Sequence, residues 1–130
     1  MATEGFIGFY LETRDYNATA AFWKSLGFRA TFETDHASGQ WQHPSGGPYV
    51  FIAEQLEQPL EARPILGVAD STAFMPHPSP TYVRAFEAQH WNVVEALLAD
   101  PDGRSVSLQA PLPTGTTVLD ADAHHADKYH

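Results

Sequence analysis

The chain has 130 residues, 43% of them apolar, which is enough for one packed domain and hardly two. Seven Lys and Arg against sixteen Asp and Glu, a formal charge of −9, exclude the clustered cationic surface that nucleic-acid binding needs. The absence of cysteine excludes disulfides, thiolate metal sites and a cysteine nucleophile, and no run approaches the roughly 20 apolar residues of a membrane helix.

The opening MATEGFIGF carries Glu4 where a secretory signal would be basic, so a cytoplasmic protein is expected. Residues 6–13 (FIGFYLET) are apolar and aromatic with partial alternation, which predicts a strand. Asp15 offers an N-cap for a helix over residues 16–26, where Tyr16, Thr19, Ala20, Trp23 and Leu26 recur at helical spacing. Gly27 is its natural end. Strands are predicted over residues 28–34, 40–43 and 49–55, separated by turns at 35–39 and at Pro44-Ser45-Gly46-Gly47. A polar, proline-containing link (56–63) leads to a further strand over 65–69. Residues 71–80 hold three prolines and cannot form a regular helix. Residues 81–87 read equally as a strand or a short helix. Residues 93–99 and 104–110 flank Asp100-Pro101-Asp102-Gly103, in which proline sets φ and glycine accepts positive φ, and together they predict a hairpin. Residues 114–130 have no apolar period and are expected to be a mobile tail, whose histidines could capture adventitious nickel or zinc.

Three local patterns occur in a fixed order. Asp15 is followed by Phe22-Trp23-Lys24-Ser25-Leu26-Gly27-Phe28. Trp91 stands nine residues before Asp100, with Asn92 after it. Asp100-Pro101-Asp102-Gly103 leads into a final strand and Ala110-Pro111. Together they resemble the vicinal-oxygen-chelate superfamily of glyoxalases, bleomycin-resistance proteins and dioxygenases, and the Phe22-Trp23 pair is similar to the bleomycin-resistance branch. Many members of the superfamily carry glycine where this chain has Asn92. The resemblance covers residues 6–55 and 91–111. It implies an α+β fold of two βαβββ modules, about 5–55 and 63–111, in one domain over 1–113. These modules would form a curled mixed sheet around a cleft. The second would be shortened, because its helix should follow Asp70, where the chain is proline-rich. A homodimer is implied as well.

By the same resemblance, metal-dependent members place ligands at positions that fall here on Gly8, Arg63 and Ser107. None is histidine or glutamate, so the resemblance implies no metal and no cofactor. Glu12, Glu54 and Glu95 are strand acids that could supply carboxylates, or are simply strand-end and solvent-facing acids.

Strand alternation puts Gly8, Tyr10 and Glu12 on a cleft face and Ile7, Phe9 and Leu11 toward the helix. It likewise puts Ser105, Ser107 and Gln109 on a cleft face, with Val106 and Leu108 toward a helix. Trp41 and His43 share one face of a short strand, His90-Trp91 precedes another, and Trp23 is assigned to packing. Rigid rings suit a flat or cationic ligand. His36, His43, His77 and His90 form no metal-binding spacing, and no G-x-S-x-G, phosphate loop or G-x-G-x-x-G occurs. The expected ligand-binding residues are therefore Tyr10, Trp41, His43, His90, Trp91 and Ser107, with no catalytic or metal-binding residues. The expected partners are a small organic molecule, aromatic or cationic, of the antibiotic or secondary-metabolite type, and a second copy in a homodimer, with neither nucleic acid nor membrane. The alternative is a metal-dependent lyase, isomerase or dioxygenase of the same superfamily with non-standard ligands.

Overall fold

The computed structural model describes residues 3–76, 79–89 and 92–113. The expected tail and two expected ligand contacts, His90 and Trp91, lie outside the described residues. Within them the chain forms one helix and eight strands, an α+β composition. They fall into two compact units: Ile7–Arg63, and residues 3–6 with 64–113.

The first unit contains β1 (Phe6–Thr13), α1 (Tyr16–Ser25), β2 (Arg29–Glu33), β3 (Ser38–Gln42) and β4 (Tyr49–Glu54). Its strands lie in the order β2-β3-β4-β1, with β1 parallel to β4 and the other pairs antiparallel. The helix begins where the sequence places it: the Asp15 carboxylate accepts from the Ala18 N–H at 3.1 Å, and the Glu54 carboxylate accepts from the Tyr16 N–H at 3.0 Å. Both satisfy first-turn donors that have no partner within a helix. At the other end Gly27 takes φ +97°, its N–H bonds to the Lys24 carbonyl, and the Phe28 N–H reaches the Trp23 carbonyl. This paired closure brings the Phe28 ring to 5.0 Å from the Trp23 ring. The buried stripe of α1, Tyr16 and Ala20, packs on Trp41, Val50 and Ile52, with Leu11, Trp23 and Phe28 around them. The packing role expected of Trp23 is what the structure gives it.

The second unit contains β5 (Ala62–Gly67), β6 (Thr81–Gln89), β7 (Val93–Ala99) and β8 (Ser105–Pro111). The strand expected over 65–69 begins earlier, since Arg63 precedes Pro64 and is biased to extended backbone. The ambiguous segment at 81–87 is a strand. The order is β5-β8-β7-β6, with β5 parallel to β8 and the rest antiparallel. The β7–β8 hairpin forms as expected: the Asp100 carboxylate accepts from the Asp102 and Arg104 N–H groups, and Gly103 takes φ +85°.

No helix covers this second sheet among the described residues, so Leu108 does not point at one. Leu108 packs instead with Val94, Ala96 and Ala110 beneath Val68 and Phe74, which come from the loop after β5. That loop is held by Asp70, whose carboxylate accepts from both the N–H and the hydroxyl of Thr72. Among the described residues no helix is long and apolar enough to cross a membrane.

Candidate functional site

In the first unit the parallel register sets Gly8, Tyr10 and Glu12 beside Tyr49, Phe51 and Ala53, with Gln40 opposite Phe51. These residues occupy the sheet face turned away from α1. The Tyr10 and Phe51 rings lie nearly parallel, 6.4 Å apart, and Phe32 leans on Phe51 at 6.1 Å. Phe51 is buried as the floor, Tyr10 and Tyr49 are half-buried, and Phe32 is 44% exposed.

Charge is placed beside these rings. The Arg63 guanidinium sits 4.2 Å above the centre of the Tyr10 ring and 3.7 Å from a Glu61 carboxylate oxygen. A cation over an aromatic face is held by the ring quadrupole, more strongly as water is removed. The Tyr10 hydroxyl donates to Glu12 at 2.9 Å, and the other Glu12 oxygen accepts from the Glu61 N–H at 2.9 Å. Tyr10 is thus fixed in orientation at both its ring and its hydroxyl. Glu12 is a half-buried hydrogen-bond acceptor and Glu54 an exposed acid at a strand end.

Gly8 makes this face possible. A Cβ there would stand 2.5 Å from carbons of the Tyr49 ring, which lies across the glycine. The position carries no donor of its own and an aromatic ring covers it.

Trp41 and His43 share a face, but not that of Tyr10. Trp41 is 7% exposed inside the helix-side core, and its indole N–H donates to the Tyr16 hydroxyl at 3.1 Å. That hydroxyl donates in turn to Glu33 at 2.6 Å. Burial, followed by the Glu33 hydrogen bond, pushes the Tyr16 phenol up to about 12. His43 lies against Gly27 and edge-on to Phe28, with its Nδ1 accepting from the Ser45 N–H.

In the second unit Ser107 is fully buried, between Leu97 on β7 and Ile65 on β5. Close by in sequence, Glu95 is 5% exposed, and it accepts from Arg84 Nη2 at 2.8 Å and from Gln109 Nε2 at 3.2 Å. The solvent-facing or strand-end role open for this acid does not hold. Cross-strand pairing buries Glu95 and supplies its partners from β6 and β8, which compensates the cost of a buried charge.

The structure therefore keeps Tyr10 on the expected face and adds residues that sequence reading did not select: Arg63, Phe51, Tyr49 and Phe32. The alternation of Tyr49, Phe51 and Ala53 was visible, but their register against Gly8, Tyr10 and Glu12 is a long-range pairing that no local pattern encodes.

No protein-family model matches the chain, and no curated protein matches it. Solved structures do. A glyoxalase/bleomycin resistance protein/dioxygenase superfamily member from Vibrio splendidus 12B01 aligns at TM-score 0.59 and 19% identity, over 79% of this chain and 96% of that one. The chain thus shares its fold with that superfamily member. BphC, a halotolerant catechol dioxygenase, aligns at TM-score 0.57 and 13% identity over 87% of this chain and 42% of its own. An NAD-dependent benzaldehyde dehydrogenase from Legionella pneumophila aligns at TM-score 0.57 and 9% identity, over 80% and 97%. At such identities the likeness is one of fold, and it selects no chemistry.

A divalent ion, which the resemblance to this superfamily raises, does not suit the residues at the aligned positions. Gly8 offers nothing to coordinate, and Arg63 is itself a cation. Ser107 is a neutral hydroxyl, a weaker donor to such an ion than a carboxylate. Among the described residues no three His, Asp or Glu side chains come together as a ligand set.

Proposed function

We propose that this chain binds a flat, aromatic small molecule without a metal, on the face formed by Tyr10, Tyr49, Phe51, Phe32 and Arg63. The observation that carries the reading is the Tyr49 ring lying across Gly8, where the resemblance puts a metal ligand. Rings and a guanidinium bind organic molecules by stacking and hydrogen bonding, and they give a divalent ion nothing to hold. Arg63 already takes the cation position over Tyr10, which favours an aromatic ligand, neutral or acidic, over a cationic one. The reading is that of a sequestering protein of the drug-binding branch, to which the Phe22-Trp23 pair is similar.

The test is a thermal-shift screen of flat aromatic metabolites and antibiotics in the presence of a chelator. A ligand at 100 times its Kd should stabilise the protein by about 2.7 kcal/mol, and Arg63→Ala and Phe32→Ala should abolish the shift. Protein carrying His124→Ala, His125→Ala and His130→Ala removes adventitious capture. If that protein ignores the whole panel but retains one equivalent of tightly bound divalent metal per chain, the alternative reading replaces this one: a lyase, isomerase or dioxygenase with non-standard ligands.

A further inference from the structure

The segment joining β3 to β4 holds a pair of polar side chains away from the aromatic face. The Ser45 hydroxyl lies 2.6 Å from Nδ1 of His43, and the Ser45 N–H donates to the same nitrogen at 3.1 Å. An imidazole nitrogen that accepts from an N–H carries no proton itself. The hydroxyl is therefore the donor of the pair, and the proton of the neutral ring sits on Nε2. A serine hydroxyl donating to an unprotonated imidazole nitrogen is the arrangement of a nucleophile with its base.

The surroundings of the pair suit that chemistry. The imidazole is held in place: a Cβ on Gly27 would stand 2.9 Å from its Nε2, and the Phe28 ring meets it edge-on at 5.4 Å. The turn is held too, since the Gly46 N–H donates to the His43 carbonyl and the Gln42 side chain donates to the Gly47 carbonyl. Ser45 is exposed. After it Gly46 and Gly47 take φ +101° and +90°, with open space where their side chains would be. A carbonyl group can thus approach the hydroxyl unhindered. The Gly47 N–H has no acceptor among the described residues, which leaves it to receive a developing oxyanion.

We propose that Ser45 is a nucleophile for acyl transfer with His43 as its general base, and that the acyl donor is an aryl ester of a small carboxylic acid. Ser45 Oγ bonds to the ester carbonyl carbon while its proton passes to His43 Nδ1. The bond from that carbon to the aryl oxygen then breaks, and the proton leaves with the phenol. Water attacks the acyl-serine in turn, giving a proton to Nδ1, which returns it to Ser45 Oγ as the acid departs. The donor class follows from what stands behind the base. Gly27 and Phe28 orient the ring, but among the described residues no carboxylate bonds to it to offset an imidazolium charge. Such a pair suits a leaving group that departs readily, a phenolate and not an amine. None of the residues proposed to bind the aromatic ligand takes part.

Incubation with p-nitrophenyl acetate should release nitrophenol and leave an acetyl group on the peptide containing Ser45, read by mass spectrometry. Ser45→Ala should remove that acetyl peptide, and His43→Gln should slow its formation about a hundredfold. Because His43 packs against Gly27, a second variant leaves the histidine untouched. The chain has no cysteine, so Ser45→Cys supplies a single thiol. Iodoacetamide should alkylate it about tenfold faster than the thiol of Gln58→Cys, an exposed position after β4. Acetylation on Lys24 in place of Ser45, or nitrophenol release unchanged by Ser45→Ala, would overturn the proposal. So would a Ser45→Cys thiol no faster than that of Gln58→Cys.

Discussion

The unit spanning Ile7–Arg63 and the unit built on β5, β6, β7 and β8 lay out their strands alike. In each, the first strand runs parallel to the last and two antiparallel strands extend beyond it. Among the described residues only the former covers its apolar face with a helix. The contrast separates two things that a βαβββ pattern joins. Alternation along the strands decides which face is apolar, whereas the cover is whatever the intervening segment can supply. Between β1 and β2 that segment is a capped, helix-forming run, and its stripe reaches the sheet as one continuous element. Between β5 and β6 it is rich in proline, so two side chains, Val68 and Phe74, do the covering from an Asp70-tied turn.

If the cover on the second sheet is concentrated in one ring, Phe74→Ala should destabilise by about 3–5 kcal/mol, and Trp23→Ala by less because Trp23 is only half-buried. Urea denaturation of both variants checks the order, and the reverse order would break the comparison. Next in size is Tyr16→Phe, which should cost about 1–3 kcal/mol by leaving the buried Trp41 N–H without its acceptor. The same phenol gives an alkaline signature. Its folded value is raised above 10.0 to about 12, so its contribution is complete below pH 10 and is lost as pH rises toward 12. Tyrosinate absorbance should show a late-titrating component that is absent in Tyr16→Phe.

Asp15→Ala should cost about 1 kcal/mol in the helix-bearing unit, read from the same urea midpoints. The smallest effect is expected in the loop-covered unit. Hydrogen bonds from Thr72 hold the Asp70 carboxyl below its ordinary 3.8, and those from Arg104 do the same for Asp100. Their contributions are present above that ordinary value and are lost as pH falls through the lowered ones. Asp70→Asn and Asp100→Asn should each flatten the acid limb of a pH–stability curve slightly, and a steep limb surviving in both would place the acid sensitivity elsewhere.

Elements defined by short-range rules were legible in the chain. The helix ends were announced by Asp15 and Gly27, and the β7–β8 turn by Asp100-Pro101-Asp102-Gly103. Residues 81–87 were undecidable because neither a period of two nor one of 3.6 dominates them. The site was less legible for a different reason. Trp41 lies on β3 and His43 just beyond its end, and which face of the strand meets the helix depends on the pairing of Trp41 with Val50 and Gln40 with Phe51. Arg63 was read as part of a link because charge beside proline looks like loop. Its place over Tyr10 follows from the path of residues 61–63 alongside β1, where Glu12 bonds to Glu61 through both main chain and side chain.

The parallel ladders have a kinetic consequence. In the first unit Gly8 pairs with Tyr49 and Thr13 with Glu54; in the second Ile65 pairs with Ser107 and Gly67 with Gln109. Each ladder joins the opening strand of a unit to the closing one, so each needs the whole intervening chain before it can zip. The hairpins and the capped helix are local and form early, while the two ladders, which carry the longest sequence separation, form late and set the pace. A nascent chain that has not yet delivered Ser107 to Gln109 therefore holds a finished β6–β7 hairpin whose other edge is open. It is in that interval, more than in the mature fold, that the second unit is exposed to mispairing with a neighbouring strand.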